Sequence, residues 1–257
     1  MDIFMAVVWS GDSDNGPVEP GPGVPEGTGA EELIAAVAAA AGAPLARLGV
    51  RDYVVNVRDE QVAGALIDVQ VTPRPVLAAV RARVPVASAS ACADVIDALG
   101  TLGPVSAWSV TASEPLPVGS PEPSAVGATE VRRSPGMANL AFLRRPERIG
   151  REEWLRTWLE EHTQVAIDTQ STTGYTQHVV VRALTEDAPV IDGIVEEIFP
   201  VEAARDLGVF FDARADDQRM AANMRAMSAS TARFLDEGTV DAIPTGRYVV
   251  GVPDRSV

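Results

Sequence analysis

Apolar and polar positions change period several times along the chain, and each change marks an element. "IFMAVVW" (3–9) is a continuous apolar run, the pattern of a strand covered on both faces. "EELIAAVAAAA" (31–41) repeats apolar residues at helical spacing, and "YVVNV" (53–57) returns to a strand. A strand at 76–84, a helix near 90–99 and a strand at 105–111 complete the first half. The second half predicts a strand at 138–144, a helix at 151–165 and strands at 175–182 and 193–199. Helical material follows over 201–207 and 214–236, with a last strand at 247–252. Both halves read β-α-β-β-α-β, the ferredoxin-like order, and "ALIDVQV" (65–71) is an additional strand candidate.

Two stretches rich in Pro and Gly punctuate this pattern. "GDSDNGPVEPGPGVPEGTG" (11–29) predicts a surface loop, and "SEPLPVGSPEPSAVGATEVRRSPG" (113–136) has the composition of a linker. The expected division is one domain at 1–112, the linker at 113–136 and a second domain at 137–257. Helix starts fit: "TGAE" offers Thr28 as a cap with Glu31 three residues on, and "GREE" places Gly150 before two acids. Laid over each other, the halves place Leu33 on Trp154, Val37 on Trp158 and Ala41 on His162. Tyr53 falls on Tyr175 and Asn56 on His178.

Charge and composition narrow the function. A net charge of −15 argues against nucleic acid and anionic membrane as partners. The 21 basic residues are all Arg, so Schiff-base lysine chemistry and a Walker phosphate loop are excluded. Cys92 stands alone in a small-residue helical stretch, which excludes an internal disulfide and favours core packing. Two histidines and one cysteine make no metal-ligand cluster of familiar spacing. The N-terminus reads as a strand instead of a signal peptide, and no window approaches the about 18 apolar residues of a membrane span. A cytoplasmic location is expected.

Candidate chemistry concentrates in "REEWLRTWLEEHTQVA" (151–166), which holds two of the four tryptophans and one of the two histidines. On a helical wheel His162 falls inside the apolar arc with Trp154 and Trp158, so its imidazole points inward and needs a partner or a cavity. The equivalent Ala41 shows that the fold does not require a polar group there. In "GYTQHVVVR" alternation puts His178 on one strand face and Tyr175 with Gln177 on the other. Glu196 and Glu197 also lie on opposite faces, so at most one reaches a shared site; Glu196 is the expected one. The stripe Met220, Met224, Met227, Thr231 and Phe234 has the spacing of a core face or of an adaptable cavity lining.

The segments "PGMANLAFLRRPERIGREEWLRTWLEEHTQVA", "GYTQHVV", "DGIVEEIFP" and "STARFLDEG" resemble the EthD domain family of the dimeric α+β barrel group. Trp158 and His162 fit its Trp-x-x-x-His signature, and Tyr175 and Gln177 its second-strand signature. The chain departs from the pattern at His178, where Asn is usual, and in "TQVA" after the helix histidine. The resemblance implies an α+β fold in which two tandem ferredoxin-like units pair their antiparallel sheets into an intramolecular pseudo-dimeric α+β barrel. The first half would be a degenerate copy, and further pairing into a homodimer stays open. It also implies a small hydrophobic ligand, an aromatic or polyketide-like carbonyl compound, handled without a cofactor. Cyclase, isomerase, lyase and oxygenase chemistry all fit, as does a non-catalytic binding role. His162 would be the general acid or base, and Tyr175 or His178 would steady a developing oxyanion. Trp154, Trp158, Gln177 and Glu196 would line the ligand site.

Overall fold

Strand β1 (Asp2–Trp9) is apolar at both parities because it is covered on both faces. Ile3, Met5 and Val7 join one core cluster, while Phe4, Ala6 and Val8 join another. A computed structural model describes residues 1–11, 29–119 and 130–252, and these two clusters lie on the two sides of a single sheet. The first half supplies β1, α1 (Ala30–Arg47), β2 (Asp52–Val57), β3 (Val76–Val84), α2 (Ala93–Gly100) and β4 (Val105–Leu116). The second supplies β5 (Val131–Arg133), β6 (Met137–Leu143), β7 (Gly174–Ala183), β8 (Gly193–Phe199) and β9 (Asp241–Gly251). Its helices are α3 (Arg151–Arg156), α4 (Thr163–Thr169), α5 (Leu207–Phe210) and α6 (Asp217–Thr231), with a π-helical segment Thr157–His162 joining α3 to α4.

All pairings are antiparallel, in the order β2-β3-β1-β4-β7-β8-β6-β9, and β9 pairs back onto β2. The result is a closed eight-stranded barrel, with β5 continuing the line of β6 along β9. Closure removes the free edges on which sheets aggregate. With β5 left aside, the neighbour order inside each half is the same, second-third-first-fourth in chain order. Apolar side chains from strands of both halves fill the interior, including Met5, Trp9, Trp108, Phe142 and Ile194. The helices pack outside: α1 and α2 on the first half, α3 to α6 on the second. Among the described residues, no helix is long and apolar enough to cross a membrane.

Several boundaries differ from the sequence pattern for identifiable reasons. Helix α1 starts after Gly29 with no side-chain cap; Thr28 lies outside the described residues. Residues 113–116, expected in the linker, continue β4 because Ser113 and Leu116 pair with β7; residues 120–129 lie outside the described residues. Strand β9 begins earlier than its pattern suggests, since Pro244 and Gly246 disguise it. Pro244 opposes Asn139 of β6, and β2 pairs with β9 only from Gly246 onward, so no ladder donor is required of the proline on that side. A Cβ on Gly246 would sit 1.9 Å from the Asp59 carboxylate, which itself accepts from Tyr248 and Arg133. Cys92 is fully buried, and burial raises its thiol pKa, in keeping with a packing role.

The connection at 58–75 between β2 and β3 reaches across to the second half. "ALIDVQV" within it is not a strand; only Val69 bridges, to Ala242. Leu66 N–H donates to Ala204 O at 2.8 Å. Asp241, 0% exposed, accepts from the Val71 and Thr72 amides at 2.7 and 2.9 Å and from the Thr72 hydroxyl at 3.0 Å. Arg144 Nη1 completes its shell at 2.8 Å. Removing this carboxylate leaves two amides and a hydroxyl without their acceptor and deprives Arg144, which keeps the Thr239 carbonyl, of its ion-pair partner. Asp241→Ala is expected to lower the unfolding free energy by about 3–5 kcal/mol in urea titrations.

Candidate active site

The outward face of β6 to β9 and the helices above it line a half-open cavity of about 210 Å³. Register builds its floor. Tyr175 of β7 lies opposite Glu197 of β8, and Glu197 lies opposite Asn139 of β6, so three polar side chains form a row across adjacent strands. All three line the cavity, together with Gln170 at the end of α4. The walls are apolar: Trp158, Phe210, Phe211, Phe234 and Met227 from the second half, and Ile67 from the crossing connection. The first half therefore closes the cavity of the second. On the first half, Leu33, Val37 and Ala41 are packed into a continuous apolar core.

His162 forms part of the roof. It is 6% exposed, its Nδ1 lies 2.9 Å from the Ser230 hydroxyl of α6, and its ring leans on Phe234 at 4.6 Å between centroids. Burial depresses its pKa to about 4, so the ring is neutral at pH 7. It stands at the end of the π-helical segment, a distortion found often at functional sites. The Thr163 hydroxyl donates to the Trp158 carbonyl at 2.9 Å within that segment. Gln177 Nε2 donates to the same Thr163 oxygen, and Gln177 Oε1 accepts from Ser113 at 2.8 Å. Gln177, expected to touch ligand, instead ties β7 and β4 to the distorted turn.

The indoles have separate duties. Trp158 lines the cavity, whereas Trp154 sits behind it, 5.0 Å from Trp158 and 6.5 Å from Phe234 between ring centroids. Gly193 at the start of β8 makes room for both, since a Cβ there would meet the Trp158 ring at 2.5 Å and Trp154 at 3.2 Å. The Trp158 N–H lies beside the Tyr175 hydroxyl without a well-formed hydrogen bond. Asn139 Oδ1 and Gln170 Oε1 are also buried with no partner among the described residues. Unmet acceptors in an apolar chamber are costly and point to a ligand or solvent that satisfies them.

Alternation moves two expected site residues elsewhere. His178 and Glu196 point into the barrel, on the far side of the sheet from His162. His178 Nε2 faces Arg81 Nη1 at 3.2 Å, so it must accept, and Nδ1–H donates to Ile194 O at 3.2 Å. Burial, followed by Arg81, lowers its pKa to about 3. Glu196 accepts from Asn56 at 3.0 Å and from Arg81 at 3.2 Å. Burial would raise its pKa, but Arg81 and Arg247 outweigh it and hold the group ionised.

The residue at the cavity is Glu197. With Thr172 at 3.5 Å as its one weak donor among the described residues, burial pushes its pKa up to about 8. Burial, with the Glu197 charge adding to it, likewise drives the Tyr175 hydroxyl well above its ordinary value. The cavity thus holds a neutral imidazole, a protonated carboxyl and a phenol. Sequence reasoning missed Glu197, Asn139, Gln170 and Ile67. The "EE" pair carried the signal for the first, but its phase needs the β7–β8 register. Met227, Thr231 and Phe234 of the methionine stripe do line the cavity, while Met220 packs beside Phe210 and Phe211. Among the described residues no group of three or more His, Cys, Asp or Glu side chains is placed to hold a metal ion.

Fold and site together define a closed α+β barrel with a helix-roofed apolar cavity. No protein-family model and no curated protein matches the chain. A solved structure described as an "anthrone oxidase-like protein" aligns with a TM-score of 0.49 at 10% identity, covering 100% of this chain and 96% of that one.

Two measurements test the site. Folded Glu197 keeps its proton to about pH 8, whereas the unfolded group titrates near 4.5, so stability falls as pH rises between these limits. The histidines act oppositely, but only below their ordinary value of 6.5. From pH 6.5 to 8 the native protein is expected to lose about 1–2 kcal/mol in denaturant titrations, and Glu197→Gln to abolish that decline. Gly193→Ala should push the Trp158 ring into the cavity, shifting tryptophan emission and weakening binding of any ligand seated there.

Proposed function

We propose that the protein is an enzyme for a small apolar carbonyl compound, aromatic or polyketide-like, and that it works by proton transfer at carbon. We propose further that its halves, residues 1–112 and 137–257, are tandem ferredoxin-like units of the EthD type, the first having lost its site. One observation carries the functional reading: an imidazole kept neutral and a carboxyl kept protonated line one apolar cavity. Environments that push a base and an acid to their uncharged forms prepare both for proton exchange.

In this reading a substrate C–H bond next to the carbonyl breaks. The proton passes to His162 Nε2, which has no hydrogen-bond partner among the described residues, while Ser230 fixes the ring through Nδ1. The electron pair moves into the carbonyl oxygen, which receives a hydrogen bond from Glu197, with Tyr175 beside it. Charge that develops only in the transition state gains most from donors fixed in a dry site. A conjugate acid with pKa near 4 returns its proton readily, so isomerisation, ring closure or bond cleavage can follow from the same enolate. The proton transfer uses protein groups alone. Asn139 and Gln170 would hold a second polar group of the ligand, and Trp158, Phe210 and Phe234 its apolar body.

The test is exchange of solvent deuterium into a panel of aromatic ketones, followed by NMR. His162→Asn is expected to slow exchange by about a hundredfold or more while tryptophan quenching still reports binding. The rate should fall below about pH 4 as His162 protonates and above about pH 8 as Glu197 ionises. Exchange at the native rate in His162→Asn rejects the mechanism. Binding without exchange in the native protein establishes the non-catalytic reading instead.

A further inference from the structure

The interior of the barrel is apolar at one end and charged at the other. At the charged end, Asn56 and Arg81 of the first half meet His178, Glu196 and Arg247 of the second. Arg247 is 6% exposed, yet only one of its hydrogen bonds has normal geometry among the described residues, from Nη1 to the Ser134 hydroxyl at 2.8 Å. Its Nε lies 3.4 Å from Glu196 Oε1 in an ion pair but forms no hydrogen bond. Glu196 is already engaged by Asn56 and Arg81. Of the guanidinium's donors, Nε is buried with no well-formed hydrogen bond among the described residues, which is unfavourable unless something else accepts.

Space for that acceptor is present. A pocket of about 180 Å³ opens at this mouth, lined by Arg81, Arg247 and Thr176 inside and by Arg83, Glu114 and Asp52 at the lip. Charges at the lip are solvent-facing and screened: Arg83 pairs loosely with Glu114 at 3.7 Å, and Asp52 is exposed. Inside, two guanidiniums face the single carboxylate of Glu196, and His178 is neutral, first through burial and then through Arg81, from which its Nε2 accepts. Two guanidiniums thus share one buried carboxylate, with the exposed Glu114 also acting on Arg247, next to a void with polar walls.

We propose that the mouth of the barrel is a second binding site, which takes a compact oxyanion, a small carboxylate or an inorganic phosphate, on Arg247 with Arg81 and Thr176 beside it. The planar fork of Arg247 can grip two oxygens at once, and Glu196 limits the site to one negative charge. This site lies on the opposite face of β7 and β8 from the His162 cavity, so it is independent of the catalytic reading. Strand alternation separates Thr176 and Glu196 from Tyr175 and Glu197.

Isothermal titration of the full chain with sodium acetate, and separately with sodium phosphate, at constant ionic strength tests the proposal. Saturable one-to-one binding is expected, weakened at least about tenfold in Arg247→Met and unchanged in His162→Ala. The stronger of the two anions identifies carboxylate or phosphate as the ligand type. Native crystals soaked in bromide should show anomalous density within hydrogen-bond reach of Arg247, a readout that needs no variant to fold. Heats that never saturate, equal binding in Arg247→Met, or bromide soaks with no density at Arg247 each overturn the proposal.

Discussion

Closure of the sheet is the constraint from which the rest follows. Once β2 pairs with β9, buried strand side chains face either the barrel interior or the helical layer. Neighbours in sequence are thereby sent to different surroundings. Tyr175 and Glu197 meet the helices; Thr176 and Glu196 meet the barrel interior. A one-residue slip of β8 would exchange the two glutamates and invert the chemistry of both compartments.

What those compartments do to identical groups shows how environment sets function. Glu196 and Glu197 are both buried, at 2% and 6% exposure, and burial alone favours the neutral form of each. Glu196 stays charged because Arg81 and Arg247 reach it. Among the described residues Glu197 has no cation acting on it and a single distant hydroxyl, so it keeps its proton. The histidines are neutral for a shared first reason, burial, and for different second ones: a guanidinium faces His178, and an apolar chamber surrounds His162.

The halves divide labour unequally. Ala41 and its apolar neighbours form a packed core in the first half, whereas His162 and Trp158 border a cavity in the second. The first half contributes instead through the connection at 58–75, whose Ile67 closes the cavity and whose anchor is the Asp241 carboxylate. Gly193 is the counterpart on the sheet side, a missing Cβ that lets two tryptophan rings lie against β8. The π-helical turn, braced by Thr163 and Gln177, then sets His162 over the polar row.

Much of this was legible in the residues. Apolar runs and helical periods located β1 to β4, β6 to β8 and the histidine helix, because period reports which faces are covered. The wheel placed His162 inward, and the structure finds it buried at the cavity. Strand β9 was largely hidden by Pro244 and Gly246, and the extension of β4 by its Pro-rich composition. Alternation in "YTQH" and "EE" showed that the two members of each pair part company, but not which compartment each enters. That choice belongs to the register between β7 and β8 and to closure of the barrel, contacts between segments far apart in the chain. Local sequence fixes the period of a side chain; its dielectric surroundings, and so its charge, come only from what the fold places opposite it.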